Sequence, residues 1–137
     1  MNKSFLKSIT SKKAACLGLL FFSLCVINGC VPILVGTGVV AGYTLSNDSA
    51  MGEVKCDYRT LWDVTTDKLQ NLKAEIITSN ESKGIIKAKV VDNDVTIKID
   101  TISPSLQKLK ISARKYLLPK PQFAQKIFVK IVQDLSD

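Results

Sequence analysis

Few side chains in this sequence can carry out covalent or acid–base chemistry. The chain has 137 residues, with 4 Cys, 12 Asp and Glu, and no His. Histidine is the usual proton-transfer group near neutral pH, and many metal sites and catalytic triads require it. The carboxylates form no acid–base pair that their spacing alone would bring together. We therefore predict that the protein is not an enzyme and that it binds no metal and no other cofactor.

The cysteine at position 30 follows a segment with the composition of an export signal. Four lysines and no acidic residue occupy residues 1–13, and an apolar run of 14 residues covers 14–27. A basic region followed by a short apolar region is typical of a signal peptide. The run is shorter than the roughly 20 residues that span a bilayer. Removing it with its lysines would lower the formal charge from +7 to +3, so much of the basic character belongs to the export signal.

The residues Ile27-Asn28-Gly29-Cys30 resemble the lipobox of bacterial lipoprotein signal peptides. That motif has an aliphatic residue, a second position and a small residue before its cysteine, and Asn28 departs from the usual second residue. The resemblance implies cleavage after Gly29, so that residues 1–29 are the signal peptide, and attachment of fatty acyl chains such as palmitate to Cys30. Two or three acyl chains hold a protein stably on a membrane, because each buried methylene contributes about 0.8 kcal/mol.

The residue after the lipobox cysteine bears on the destination of the protein. In enteric-type bacteria, lipoproteins without Asp at this position are sorted to the outer membrane, and this chain has Val31. The resemblance therefore implies a lipid-anchored protein on the periplasmic side of the outer membrane. An uncleaved signal anchor is an alternative, because apolar residues resume at 31–35 and a span of about 20 residues centred on Cys25 would fit a bilayer. A soluble chain is the remaining alternative.

Residues 30–52 are rich in Gly, Val, Ala and Ser, and we predict a lipidated tether there. Gly38 and Gly42 have the spacing that lets membrane helices approach closely, so an interfacial or oligomerising segment is an alternative. After loss of the signal peptide and acylation of Cys30, Cys56 is the only remaining free thiol. We expect no intramolecular disulfide, and we interpret Cys56 as a small buried apolar residue.

The remaining residues, 53–137, predict one α+β domain. Apolar and polar residues alternate with the period of a half-buried strand, and two segments have helical periodicity with Thr60 as a candidate N-cap. Strands are predicted over residues 53–58, 74–78, 85–91, 95–100 and 108–114, and a helix over residues 58–72. Pro119 and Pro121 end the last strand, and a final helix follows with an apolar face formed by Ala124, Ile127, Phe128, Ile131 and Leu135. We predict a two-layer sandwich in the order β-α-β-β-β-α, with both helices on one face of an antiparallel sheet of four to five strands.

This whole arrangement is similar to a family of small bacterial lipoproteins known only as a domain of unknown function. The similarity rests on the lipobox, the Gly- and Val-rich segment, the helix that bears Trp62, the strands and the closing amphipathic helix. It implies a location in the cell envelope and the fold. It implies no catalytic residue.

Four basic residues are predicted to share the sheet face opposite the aliphatic side chains: Lys98, Lys108, Lys110 and Arg114, with Lys87 and Lys89 nearby. The simplest interpretation is a solvated surface. The alternative is a contact with an anionic lipid, an anionic glycan or an acidic envelope protein. We expect no nucleic acid as a partner of an exported protein.

The sequence thus predicts a lipid-anchored cell-envelope protein with a non-catalytic interaction or structural role. A small-ligand binder with a cavity beside Trp62, or a binder of anionic lipid or glycan, is the alternative function.

Overall fold

The computed structural model describes residues 38–137. The predicted signal peptide, Cys30 and the first part of the predicted tether lie outside the described residues. The elements are β1 (Val40–Leu45), β2 (Ser49–Val54), α1 (Tyr58–Asn71), β3 (Glu75–Asn80), a short 3-10 helix (Glu81–Lys83), β4 (Ile85–Val90), β5 (Asn93–Ser103), β6 (Leu106–Lys115), β7 (Leu118–Pro119) and α2 (Pro121–Ser136). No helix within residues 38–137 is long and apolar enough to cross a membrane.

All seven strands belong to one antiparallel sheet. The order across the sheet is β1-β2-β6-β5-β4-β3, and the two-residue strand β7 pairs with β6. Both helices pack on one face of the sheet. The α+β class is therefore as predicted, whereas the predicted count of four to five strands is wrong.

The core lies between the sheet and the two helices. Along β4, β5 and β6, buried aliphatic residues alternate with exposed or half-exposed polar ones. Helix α2 contributes the apolar face expected from its sequence, and Phe128 and Ile131 are fully buried. The fully buried aliphatic and aromatic side chains include Leu61 and Leu69 from α1 and Ile86, Ile97, Leu109 and Ile111 from the sheet. The period-two pattern of these strands thus identified the face that the helices cover.

The segment predicted as a tether contains two strands of the sheet. Strands β1 and β2 lie within residues 30–52 or reach just beyond them, so the predicted domain boundary at residue 53 falls inside β2. The small residues of β2 are needed there, because α2 packs directly over them. A Cβ atom added at Gly52 would lie 2.6 Å from Cζ of Phe128 and 2.8 Å from the carbonyl oxygen of Gly42. Residues that suggest a flexible tether instead allow a close approach between helix and sheet.

The first helix begins at a different cap from the one predicted. The strand predicted over residues 53–58 ends at Val54, and Asp57 is the N-cap of α1. The Asp57 carboxylate accepts hydrogen bonds from the backbone N–H of Thr60 (2.9 Å) and from its hydroxyl (2.7 Å). These bonds stabilise the ionised form and lower the pKa of Asp57. Because the pKa is lowered, this cap stabilises the fold above the pKa of an ordinary Asp and is lost as the pH falls through the folded-state pKa.

Two hairpin turns also differ from the sequence prediction. The strands predicted over residues 85–91 and 95–100 leave residues 92–94 as the turn between them, whereas the turn consists of Val91 and Asp92, because Val90 already pairs with Asn93. Strand β7 was not predicted, and Lys115 pairs with Leu118 across the two-residue turn Tyr116–Leu117. The backbone φ angles of all four turn residues are positive.

Strand β3 forms one edge of the sheet and is irregular. Its pairing with β4 shifts register between Ile76 and Thr78. Ile77 lies at this bulge, and its side chain is largely exposed. The bulge interrupts the regular ladder along this edge.

Replacing Gly52 by Ala tests the close packing of α2 on β2. We expect Gly52→Ala to lower the free energy of unfolding by about 1–3 kcal/mol, because the added methyl group overpacks the contact with Phe128. Gly42→Ala is the matched control, since a Cβ there meets nothing within 4 Å. Denaturant unfolding of both variants measures the difference. Equal stability of the two variants would contradict the packing argument.

Candidate functional site

The four predicted basic residues lie on the sheet face opposite α1 and α2, which no helix within residues 38–137 covers. Lys98 belongs to β5, whereas Lys108, Lys110 and Arg114 belong to β6. In the register of these strands Lys98 lies opposite Lys110, Asp100 opposite Lys108, and Asp94 opposite Arg114. The intervening aliphatic residues point to the helices. We call this uncovered surface the free face.

Acidic groups divide the free face into regions of different charge. Nζ of Lys98 lies 2.9 Å from Oδ1 of Asp100, and Nη2 of Arg114 lies 3.7 Å from Oδ2 of Asp48. Lys108 lies between Asp100 on β5 and Glu53 on β2 in the register. The free face is therefore a mixed surface on which acidic residues lie among the four basic ones. Asp48 was overlooked because its segment was assigned to the tether.

The basic residues that have no acidic residue opposite them in the register lie at the centre of the free face. Lys110 lies between Met51 on β2 and Lys98 on β5. Lys87 on β4 lies opposite Thr96 in the register, so it is a diagonal neighbour of Lys98. Diagonal neighbours of this kind have their Cα atoms roughly 7–8 Å apart. We call Lys87, Lys98 and Lys110 the lysine centre. Like charges directly opposite one another destabilise a sheet, so an anion bound there would relieve the repulsion.

The chemistry available at the lysine centre is binding. Ammonium groups donate hydrogen bonds to carboxylate, phosphate or sulfate oxygens. Thr96 and Ser112 lie opposite each other in the next row and add two hydroxyl groups. Lys98 and Lys110 have exposed or half-exposed side chains, so a partner can reach them.

Trp62, beside which a ligand cavity was the alternative prediction, belongs to the core. Trp62 is only 8% exposed, and its ring stacks on Tyr58 with centroids 6.2 Å apart and planes 19° apart. The hydroxyl of Tyr58 donates a hydrogen bond to the carbonyl of Glu81, which joins α1 to the 3-10 helix. An open depression lies beside this contact, lined by Tyr58, Ser82, Gly84, Ile99 and Thr101 among others. Trp62 itself does not line the depression.

The carboxylates of the domain do not form a metal site. Within residues 38–137, no group of three or more His, Cys, Asp or Glu side chains is arranged to hold a metal ion.

Comparison with known proteins places the chain in a family. The family model of DUF3568, a protein of unknown function, matches residues 13–115. The chain belongs to the DUF3568 family. No curated protein sequence matches the chain. A solved structure of a conserved protein of unknown function from Enterococcus faecalis is 12% identical, with a TM-score of 0.44, over 76% of this chain and 81% of that chain.

The matched segment of this DUF3568 protein includes the free face. It contains β1 to β6, and therefore every residue of the lysine centre, whereas β7 and α2 follow it. The sequence identified Lys98 and Lys110 because polar residues alternate with aliphatic ones there. It did not predict that Lys98 and Lys110 lie directly opposite each other, because a turn of unknown length sets the register.

Cys56 of this DUF3568 protein is a free thiol between β2 and α1. It is half-buried and packs against the edge of the core. Burial, with a smaller contribution from the negative charge of Asp57, raises the pKa of Cys56 to about 11. The thiol is therefore protonated at neutral pH, and its nucleophilicity is low.

We expect Cys56 to react slowly with iodoacetamide in the folded protein. Because the folded-state pKa is about 11, the alkylation rate should rise about tenfold per pH unit between pH 7 and 10. In denaturant the rate should level off near the ordinary thiol pKa of about 8.5. Mass spectrometry of the peptide that contains Cys56 measures both rates. A folded-state rate that levels off below pH 9 would contradict the raised pKa.

Proposed function

We propose that this protein is a lipid-anchored component of the bacterial cell envelope whose domain is a non-catalytic interaction module. Acyl chains on Cys30 hold it to the periplasmic side of the outer membrane. The lysine centre on the free face contacts an envelope partner that carries carboxylate, phosphate or sulfate groups.

The observation that carries the interaction role is the pairing of Lys98 with Lys110 on an uncovered sheet. Within residues 38–137 both helices lie on one face, so the other face is open to a partner across several strands. Lys98 and Lys110 lie directly opposite each other, and only Lys98 has an acidic partner, Asp100. An anionic group beside Lys110 would offset its proximity to a like charge. A flat, rigid surface also positions the amines without loss of backbone freedom on binding.

The anchor is supported by the order of sequence features before the domain. A basic segment, a short apolar run and the residues Ile27-Asn28-Gly29-Cys30 occur in that order. Because β1 begins at Val40, only residues 30–39 remain as a connection. Ten residues extend to at most about 35 Å, so an anchored domain would stay close to its membrane.

Substitution of Cys30 tests the anchor. We expect the wild-type protein to be labelled by a fatty-acid analogue in bacterial cells and Cys30→Ala to lose all label, because its sulfur atom carries the acyl chains. Cys25→Ala is the matched control and should keep the label. Mass spectrometry of the mature N-terminus should find Cys30 as the first residue. An unlabelled wild-type chain that begins at Met1 would disprove the anchor.

Reversing two charges tests the lysine centre. We expect Lys98→Glu/Lys110→Glu to reduce recovery of crosslinked envelope partners about tenfold, which corresponds to about 1.4 kcal/mol of binding free energy. Lys126→Glu/Lys130→Glu makes the same change in net charge on the exposed side of α2 and should leave recovery unchanged. Circular dichroism checks that both variants fold. Equal recovery with the two variants would exclude the lysine centre as the contact.

A further inference from the structure

Two hairpin turns at the same end of the sheet expose large apolar side chains. Asp94 pairs with Arg114, and the β4–β5 and β6–β7 turns lie just beyond this pair. The side chains of Val91, Tyr116, Leu117 and Leu118 are 76%, 80%, 87% and 64% exposed. We call these four residues the apolar tip. Adjacent strands lie about 4.8 Å apart, so the two turns are separated by roughly 10 Å, close enough to contact one surface together.

The turns use residues that their backbone disfavours. Val91 and Asp92 have φ angles of 45° and 61°, and Tyr116 and Leu117 have φ angles of 50° and 68°. A two-residue hairpin turn with two positive φ angles strongly favours Asn-Gly or Asp-Gly. A β-branched or bulky residue in this region is a genuine outlier. Local stability therefore does not account for the apolar residues at these positions.

Cationic groups flank the apolar tip. Lys115 and Lys120 lie on either side of Tyr116, Leu117 and Leu118 in the chain, and Nζ of Lys115 is 5.6 Å from the centroid of the Tyr116 ring. Arg114 is also present, but Asp48 and Asp94 face it. Asp92 in the β4–β5 turn adds one negative charge at this end.

We propose that the apolar tip inserts into the headgroup region of a bilayer that contains anionic lipids. The tip is convex, because it is made of turns that project beyond the sheet, and a convex apolar surface suits a soft bilayer. Tyrosine has an apolar ring and a polar hydroxyl, which suits the membrane–water interface. Lys115 and Lys120 would contact lipid phosphates while the apolar side chains enter between the headgroups.

The apolar tip lies at the opposite end of the sheet from the start of β1. Val40 pairs with Val54, which pairs with Gln107 beside the β5–β6 turn. The chain therefore enters the domain at one end of the sheet, and the apolar tip projects from the other. The tip can reach the anchoring membrane if the domain lies along it or turns over within the reach of the connection of residues 30–39. In an upright domain the tip reaches a second membrane, and the experiment distinguishes the anchoring membrane from a facing one.

A tryptophan placed in the tip reports the contact. The full-length chain carrying Leu118→Trp is reconstituted into vesicles of phosphatidylcholine and phosphatidylglycerol, and brominated lipid is placed either in these vesicles or in a second, protein-free population. We expect at least about twofold stronger quenching for Leu118→Trp than for Ser105→Trp, a matched reporter in the exposed turn at the opposite end. Quenching in the first arrangement means that the tip contacts its own membrane, and quenching in the second means that it reaches a facing one. Equal quenching of the two reporters in both arrangements would overturn the proposal.

A second variant separates membrane contact from folding. Tyr116→Asn/Leu117→Gly in the Leu118→Trp chain gives the turn its preferred residues, so the unfolding midpoint should stay the same or rise while quenching falls to the Ser105→Trp level. Retained quenching, or a lower midpoint, would contradict the proposal. This test does not involve the lysine centre. The mass of the N-terminal peptide from the same sample reports separately whether Cys30 is acylated.

Discussion

Helix α2 lies so close to the sheet that strand β2 can carry only small residues beneath Phe128. This contact limits which residues the sheet can have beneath the helix. Strand β2 pairs with β6 and β1 pairs with β2, so both strands pass below α2. With both helices on the same face, the core is closed on one side of the sheet, and the other side remains open to solvent. The positions of the lysine centre and of the exposed turns follow from this one-sided packing.

A sheet that is covered by helices on one face needs polar side chains on its other face to remain soluble. The distribution of charge on that face shows which of its basic residues have acidic neighbours. Lys89, Lys108 and Arg114 have acidic neighbours in the register, as Lys108 has Asp100 and Glu53. Such pairs keep the surface soluble and contribute little to stability. Lys110 departs from this pattern because its register neighbours are Met51 and Lys98. The surface therefore differs at Lys110, where neither register neighbour carries a negative charge, while the adjacent Lys98 pairs with Asp100.

The alternation of aliphatic and polar residues allowed parts of the fold to be predicted from the sequence. In β5 and β6 every second residue is aliphatic, so the buried face and the common face of Lys98 and Lys110 were predicted correctly. Strand β2 lacks the alternation of aliphatic and polar residues, because its buried positions include Ala50 and Gly52. These residues are small because α2 packs over them, and Phe128 of α2 comes more than 70 positions later in the chain. Composition alone does not distinguish a strand whose residues are small because a helix packs on them from a flexible linker. The turn at Val91 was misplaced and the turn at Tyr116 was not predicted for a related reason, since their residues contradict the usual turn preferences.

The irregular edge at β3 affects what happens when many copies occupy the same surface. An exposed edge strand presents free N–H and C=O groups to any other strand that approaches it. The bulge at Ile77 breaks the spacing of those groups, so a neighbouring molecule finds only a short stretch with which to continue the ladder. Crowded copies are thereby discouraged from polymerising into a shared sheet, and the domain can remain a separate unit at high local concentration.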